Sequence, residues 1–337
     1  MRVVDWLLDG DPAIRWQTLR DLVDAPAEVV KSERARVATE GWGARLLTLQ
    51  DADGLWAGGA LFPSRSSQSL AEEPARGDGN AAPAERSPGT PELRPGQPWT
   101  ATAYSLVLLA DLGVDPHCDR VRQAVKLVRD NCRWEHAGEP FFAGEVEPCI
   151  DGMTVVLGTY FGQEVDSVVD RLLGEQLEDG GWNCWTERGS VRSSFHTTIR
   201  VLEGLLAHEQ ASGGSPESSA ARLRAEEYLL ERKLFRRKST GALVDRAWLQ
   251  FSFPTRWHYD VLRGLEYFRA TGARPDPRLD EAIDLLRSKP QPDGTWLLEN
   301  THPGAVHFTM DDGDGQPSRW NTLRALRVLR WVEQSAL

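Results

Sequence analysis

Apolar residues recur at i, i+3, i+4 and i+7 in several short stretches: Val121, Ala124, Val125 and Val128; Val165, Val168, Val169 and Leu172; Leu279, Ala282, Ile283 and Leu286. This spacing predicts amphipathic helices with one buried stripe. Between them lie segments that are less charged and apolar on more than one face: Trp99 to Leu112, Ile150 to Phe161, Phe195 to Ala207, Trp257 to Phe268 and Trp320 to Trp331. Helices wet on one side therefore alternate with helices buried on most sides. Two concentric layers give each type the burial its pattern demands, with the apolar helices as an inner barrel and the amphipathic ones as an outer ring. The expected fold is all-α, an α/α toroid of about six hairpins. A helix starting near Asp11 closes it, and the parallel inner helices bring their N-termini to one end.

Three apolar runs end alike: LLTLQDADGLW (Leu46 to Trp56), LLGEQLEDGGW (Leu172 to Trp182) and LLRSKPQPDGTW (Leu285 to Trp296). Asp and Gly supply the reversal, Gly because it accepts positive φ without steric cost, and the Trp ring then buries between neighbouring units. The units after Cys132 and Phe235 lack the full turn. A closed repeat of this kind makes residues 1–337 one domain. One stretch departs from the repeat. Pro63 to Pro98 is dense in Pro, Gly, Ser, Ala and charge, has little to bury, and reads as a mobile insertion over one mouth of the barrel, a surface loop or a lid.

The net charge of -11 argues against nucleic acid as a partner, since phosphate backbones are bound through basic surface. Cys118, Cys132, Cys149 and Cys184 are widely spaced, and the opening MRVVDWLLDGDP meets acidic residues before a signal-peptide core forms. The expectation is a reduced, cytoplasmic protein without membrane spans.

The Gln-Asp-Gly-Trp turns, the helix-pair periodicity and the segments GGWNC (Gly180 to Cys184) and SSFHTTIRVLEGL (Ser193 to Leu205) resemble the terpene cyclase and prenyltransferase toroid superfamily. That group includes the squalene-hopene cyclases and the β-subunits of protein prenyltransferases. The resemblance covers nearly the whole chain outside Pro63 to Pro98, and it is closest to short bacterial squalene-cyclase-like proteins. It implies the toroid fold and two kinds of activity. Squalene-hopene cyclases protonate an alkene with an Asp-x-Asp-Asp motif. That motif is absent, and the nearest string is MDDGDG with Asp311, Asp312 and Asp314, which reads as a solvated loop or a shared-proton or divalent-ion site. Prenyltransferases hold zinc through Asp-x-Cys and a His on the following inner helix. Here Cys149 and Asp151 stand in reversed order, with His196 at the start of the next inner helix, so zinc on Cys149, Asp151 and His196 competes with a buried Cys and a capping Asp.

A further pattern repeats in type. FPTRWHYDVLRGL and PSRWNTLRAL open two inner helices with Arg256, Trp257, His258 and with Arg319, Trp320, Asn321. At the N-terminal ends of parallel helices an arginine suits carboxylate or phosphate, although Asp260 and Glu266 are close enough in sequence to pair with it. Tyr104, Tyr160, Trp99 and Trp257 would line the central cavity, and His302 and His307 flank Pro303 beside the acidic loop. The leading reading is a cyclase- or isomerase-like enzyme acting on an apolar, isoprenoid-like or polyketide-like small molecule. Asp151, His196, His258 and Asp260 would move protons, while Arg256 and Arg319 orient an anionic end and Trp257, Trp320, Asn321 and Tyr104 complete the binding surface. No cofactor is required, transient membrane contact stays open, and two alternatives stand beside this reading: a zinc-dependent transferase and a non-enzymatic binding scaffold.

Overall fold

The computed structural model describes residues 2–64 and 99–335. The insertion expected at 63–98 therefore lies outside the described residues except for Pro63 and Ser64. Thirteen helices of the described residues carry the fold: α1 (Val3–Leu8), α2 (Pro12–Asp21), α3 (Ala27–Arg36), α4 (Gly41–Thr48), α5 (Thr102–Leu112), α6 (Asp119–Asn131), α7 (Pro148–Tyr160), α8 (Asp166–Gly174), α9 (Phe195–Ser212), α10 (Pro216–Leu230), α11 (Val261–Ala270), α12 (Asp280–Arg287) and α13 (Arg319–Ser335). Two short strands, β1 (Trp296–Leu297) and β2 (Pro317–Ser318), pair antiparallel with Trp296 opposite Ser318. No helix of the described residues is long and apolar enough to cross a membrane.

Each amphipathic stripe is buried as its spacing requires. Val121, Ala124, Val125 and Val128 lie inside from α6, Val165, Val168, Val169 and Leu172 from the start and body of α8, and Leu279, Ala282, Ile283 and Leu286 from α12. The helices that are apolar on several faces lie side by side. Trp16 Nε1 on α2 donates to the Leu112 carbonyl at the end of α5, and α5 packs on α7, whose Tyr160 hydroxyl reaches the Val114 carbonyl just beyond α5. Gly152 of α7 and Gly204 of α9 let those two backbones approach closely: a Cβ at Gly152 would stand 2.8 Å from Val201, and one at Gly204 2.7 Å from the Gly152 carbonyl. Arg263 of α11 pairs with Glu203 of α9, Arg324 of α13 with Glu266 of α11, and Arg327 of α13 with Asp21 of α2. The pairs read in one direction. Tyr259 meets His196 at the start of α9 and the Ala270 carbonyl meets Gln210 near its end, while Arg319 touches Trp6 on α1, which precedes α2, and Arg330 donates to the Asp21 carbonyl at the end of α2.

The three Trp turns have one construction. Trp56, Trp182 and Trp296 are buried. Their ring N–H groups donate to the carbonyls of Leu46, Leu172 and Leu286 at 2.9, 2.7 and 3.1 Å, near the C-termini of α4, α8 and α12, where helix carbonyls lack an internal partner. Their backbone N–H groups donate to the hydroxyls of Thr102, Thr198 and Thr322 at 3.1, 3.1 and 2.9 Å, in the first turns of α5, α9 and α13. Gly54 and Gly180 are needed twice over: φ is 87° and 99°, and an added Cβ would collide with the Leu127 backbone of α6 or the Arg224 carbonyl of α10. Gln50 and Gln176, six residues before their Trp, bridge the turn to the next amphipathic helix through the Ala124 and Ala221 carbonyls. In the third turn Pro290 holds that place and the bridge is missing.

Helix starts depart from expectation in one instructive case. The Trp257 segment was expected to open a helix, yet α11 begins at Val261. Arg256 has φ of 56°, which breaks any helical run, and the Asp260 side chain caps α11 by accepting from Arg263 N at 2.7 Å.

If the Trp ring and its two N–H bonds join neighbouring units, Trp182→Ala lowers unfolding stability by about 3 to 5 kcal/mol, the usual cost of deleting a buried large aromatic. Thr198→Val, similar in shape but without the acceptor, costs about 1 to 3 kcal/mol by leaving the Trp182 N–H unpaired. Urea unfolding of both variants measures this, and a loss under about 1 kcal/mol for Trp182→Ala would refute the role.

Candidate functional site

The N-terminal ends of α7 and α9, the first turn of α5 and the segment before α11 border one cavity of about 560 Å³. Leu61, Tyr104, Ile150, Met153 and Trp257 give it apolar walls, and Glu147, Cys149, Cys184, His196, Arg200 and Arg256 bring polar groups to the same space. Five sequence candidates thus meet here: Tyr104, Cys149, His196, Arg256 and Trp257. His258 and Asp260 border a neighbouring cavity of about 330 Å³, which shares His196 and Trp257 as a common wall.

Arg256 is the distinctive group. It is 7% exposed, its guanidinium lies 5.3 Å from the centre of the Trp99 ring, and no carboxylate among the described residues forms an ion pair with it. Burial pulls its pKa down to about 10, against the pull of Asp111 and Tyr104. Arg200, one turn into α9, donates to the Arg256 carbonyl at 2.6 Å and pairs with Glu203 at 3.0 Å. Its guanidinium is therefore partly neutralised, whereas that of Arg256 is not.

Beside the arginines stand two thiols and a carboxylate. One ligand atom from each of Glu147, Cys149 and Cys184 lies within 4.8 Å of the others. The Cys149 thiol donates to Glu147 Oε2 at 3.5 Å, and the Cys184 sulfur sits 3.4 Å from the Thr197 hydroxyl. The neighbouring Cys184 thiol and burial hold the Cys149 thiol well above the usual range, while the Cys149 thiol pulls Cys184 down. The set expected from the sequence, Cys149, Asp151 and His196, does not converge. Residues two apart on a helix point roughly 200° apart, so with Cys149 on the cavity Asp151 faces α8. There Asp151 is fully buried, takes two bonds from Arg171 at 2.6 and 2.8 Å, and accepts from Glu145 N at 2.8 Å. It is a structural ion pair, not a cavity acid.

The histidines that border the two cavities are held neutral. Burial lowers the pKa of His196 to about 4, of His258 to about 3 and of His302 to about 4. His196 Nδ1 accepts the Tyr259 N–H at 2.8 Å, so the neutral ring carries its proton on Nε2 and serves as a donor rather than a base. His258 is stacked between Trp257 and His302, with ring centres 3.8 and 3.6 Å away. His302 Nε2 meets the Ser252 hydroxyl at 3.1 Å, and that hydroxyl donates to Asp260 Oδ2 at 3.0 Å. Asp260, which caps α11 and is 2% exposed, is committed to these bonds and not placed to shuttle protons in the larger cavity.

The second Arg-Trp pattern is structural. Arg319 lies over the Trp6 ring and donates to the Trp6 carbonyl at 3.2 Å, Trp320 stacks on Phe253 with ring centres 4.2 Å apart, and Asn321 donates to the Phe251 and Leu297 carbonyls. The acidic loop does not gather its carboxylates: Asp311 accepts from Ser318 and Asp314 from Thr301. His307 meets the Ser105 hydroxyl at 2.9 Å.

Sequence reasoning missed Glu147, Cys184 and Arg200. Two of these were within reach of the pattern. Trp182 is tied to the start of α9, so Cys184, two residues on, must fall at the mouth, and Arg200 lies one turn below His196 on the same face.

No protein-family model matches the chain, and no curated protein does. Among solved structures, one titled "Crystal structure of a protein from Actinoplanes" is similar over 100% of this chain and 98% of its own, with 16% identity and a TM-score of 0.45.

The histidine environment predicts a pH dependence. Unfolded His titrates near ~6.5, so between there and about 4 the unfolded chain binds protons that the folded one refuses. The His307 pKa is lowered to about 4 as well, so stability present above pH ~6.5 is lost as pH falls through this window, with a slope of up to about 5 kcal/mol per pH unit for four protons. In His302→Asn the slope between pH 6.5 and 4 shrinks by roughly one proton's share, about 1.4 kcal/mol per pH unit. Denaturant titrations across this range check it, and an unchanged slope in His302→Asn would show that the ring is not held neutral.

Proposed function

We propose that the chain is an α/α toroid that takes a small molecule with an apolar body and an anionic end into the cavity at the N-terminal mouth of its inner helices. The sequence of side-by-side contacts from α2 through α5, α7, α9, α11 and α13 back to α2 supports the closed arrangement. The single observation that carries the functional reading is Arg256: a buried guanidinium without an ion-pair partner among the described residues, opening on an otherwise largely apolar cavity. A buried charge without its counterion is costly, and a carboxylate or phosphate removes that cost through bidentate bonds. Helix N-termini at the same mouth add to the preference for negative charge. The cavity volume is in the usual range for small-molecule pockets.

An isoprenoid-like body suits walls of Ile150, Met153, Tyr104 and Trp257. On this reading the reaction is a cyclisation or isomerisation in which the His196 Nε2–H group and the Glu147 carboxyl are the available proton-handling groups, and the setting is a reduced cytoplasm. The second reading, a zinc-dependent transferase, is favoured by one observation: Glu147, Cys149 and Cys184 come together on the cavity wall. Two thiolates and a carboxylate suit zinc, and a position left toward the cavity would admit a substrate atom.

Farnesol and farnesyl phosphate separate these readings by calorimetry. The phosphate is expected to bind at least about 10-fold tighter than the alcohol, and Arg256→Asn, chosen because Asn tolerates the left-handed backbone, removes that advantage. Equal binding of both, or an advantage untouched in Arg256→Asn, would overturn the anion site. Elemental analysis of protein purified without chelator decides zinc: about one zinc per chain supports the second reading and its absence sinks it.

A further inference from the structure

The two thiols on the cavity wall carry a chemistry beyond ligand binding, and it does not depend on which molecule the cavity takes. Cys149 lies in the first turn of α7, and Cys184 lies in the segment between Trp182 and α9. Thirty-five positions apart in sequence, they are brought together by the Trp182 turn, with sulfur atoms no more than 4.8 Å apart. Both are half-buried and border the cavity, so a small oxidant can reach them. The remaining cysteines differ: Cys132 is fully buried, and Cys118 stands before α6, away from this cavity. The Glu147 carboxylate beside Cys149 is placed to accept a thiol proton.

We propose that Cys149 and Cys184 form a reversible dithiol–disulfide centre in the cavity wall, oxidised by hydrogen peroxide. One sulfur attacks the peroxide oxygen, the O–O bond breaks, and a sulfenic acid and one water form. The other sulfur then displaces hydroxide from the sulfenic sulfur, which leaves as a second water after taking a proton. Two thiols thus lose two protons and two electrons in all, and the peroxide is reduced to two waters. The bond clamps the segment carrying Trp185 to the start of α7. Reactive thiol pairs of this kind are the form in which disulfides occur in reducing compartments.

The test uses the full chain, reduced, stripped of metal with a chelator, freed of reductant and exposed to hydrogen peroxide, after which remaining thiols are alkylated and peptides are mapped without reduction. The expected result is a crosslinked Cys149–Cys184 peptide, a protein lighter by two hydrogens, alkylated Cys118 and Cys132, and full recovery on adding dithiothreitol. In Cys149→Ser, Cys184 should instead pass on to sulfinic acid. Peroxide-treated protein in which both Cys149 and Cys184 remain alkylatable, or are oxidised singly without a crosslink, overturns the proposal. Because the readout is covalent mass, failure here leaves the farnesyl phosphate result untouched, and failure there leaves this one untouched.

Discussion

A buried backbone N–H must find an acceptor, and at Trp56, Trp182 and Trp296 it finds one on a different helix, the hydroxyl of Thr102, Thr198 or Thr322. The same residues use their ring N–H to satisfy a carbonyl near the end of the preceding amphipathic helix. One residue therefore joins the C-terminus of one helix to the N-terminus of another, and it does so whatever the length of the chain between. The separation from Trp to Thr is 46, 16 and 26 residues in the three cases. Variation is confined to the segments that leave the Trp and return to the helix start, which is where the cavity lies.

This arrangement also sorts the charges of the interior. Away from the cavity the buried arginines of α11 and α13 are matched: Arg263 forms two bonds of 2.7 Å with Glu203, Arg324 pairs with Glu266 at 2.5 Å, and Arg327 pairs with Asp21 at 2.5 Å. Breaking one member of such a pair is expensive because it strands the other, so these groups hold the helices in register. At the mouth the pattern stops. Arg256, held out of any helix by its left-handed backbone, keeps its guanidinium over Trp99 without an ion-pair partner among the described residues.

What could be read in the sequence follows the range of the interactions involved. The alternation of helix types and the recurring Trp turn are local periodicities, and they gave the helical class, the buried stripes and the anchors. Arg256 and His196 were legible because they sit next to signals for a helix start. The repeated Arg-Trp pair misled at Arg319 and Trp320, since identical dipeptides met different surroundings: an N-terminal helix covers the second pair, whereas the first borders a cavity. Asp151 was misplaced because chemical type was weighed before helical phase, which turns it toward Arg171. Glu147 and Cys184 escaped notice because their meeting depends on two segments distant in sequence, and only the Trp182 anchor, treated as a positional constraint, would have predicted it.

The guanidinium of Arg256 is proposed as the receptor for an anionic end. The most direct measurement is a crystal structure of the protein grown with farnesyl phosphate. Phosphate density against Arg256 and Arg200, with the chain lying along Tyr104, Ile150 and Met153, is the predicted result. Phosphate bound elsewhere on the molecule, or the cavity closed by side chains with Arg256 turned to a protein carboxylate, would contradict it.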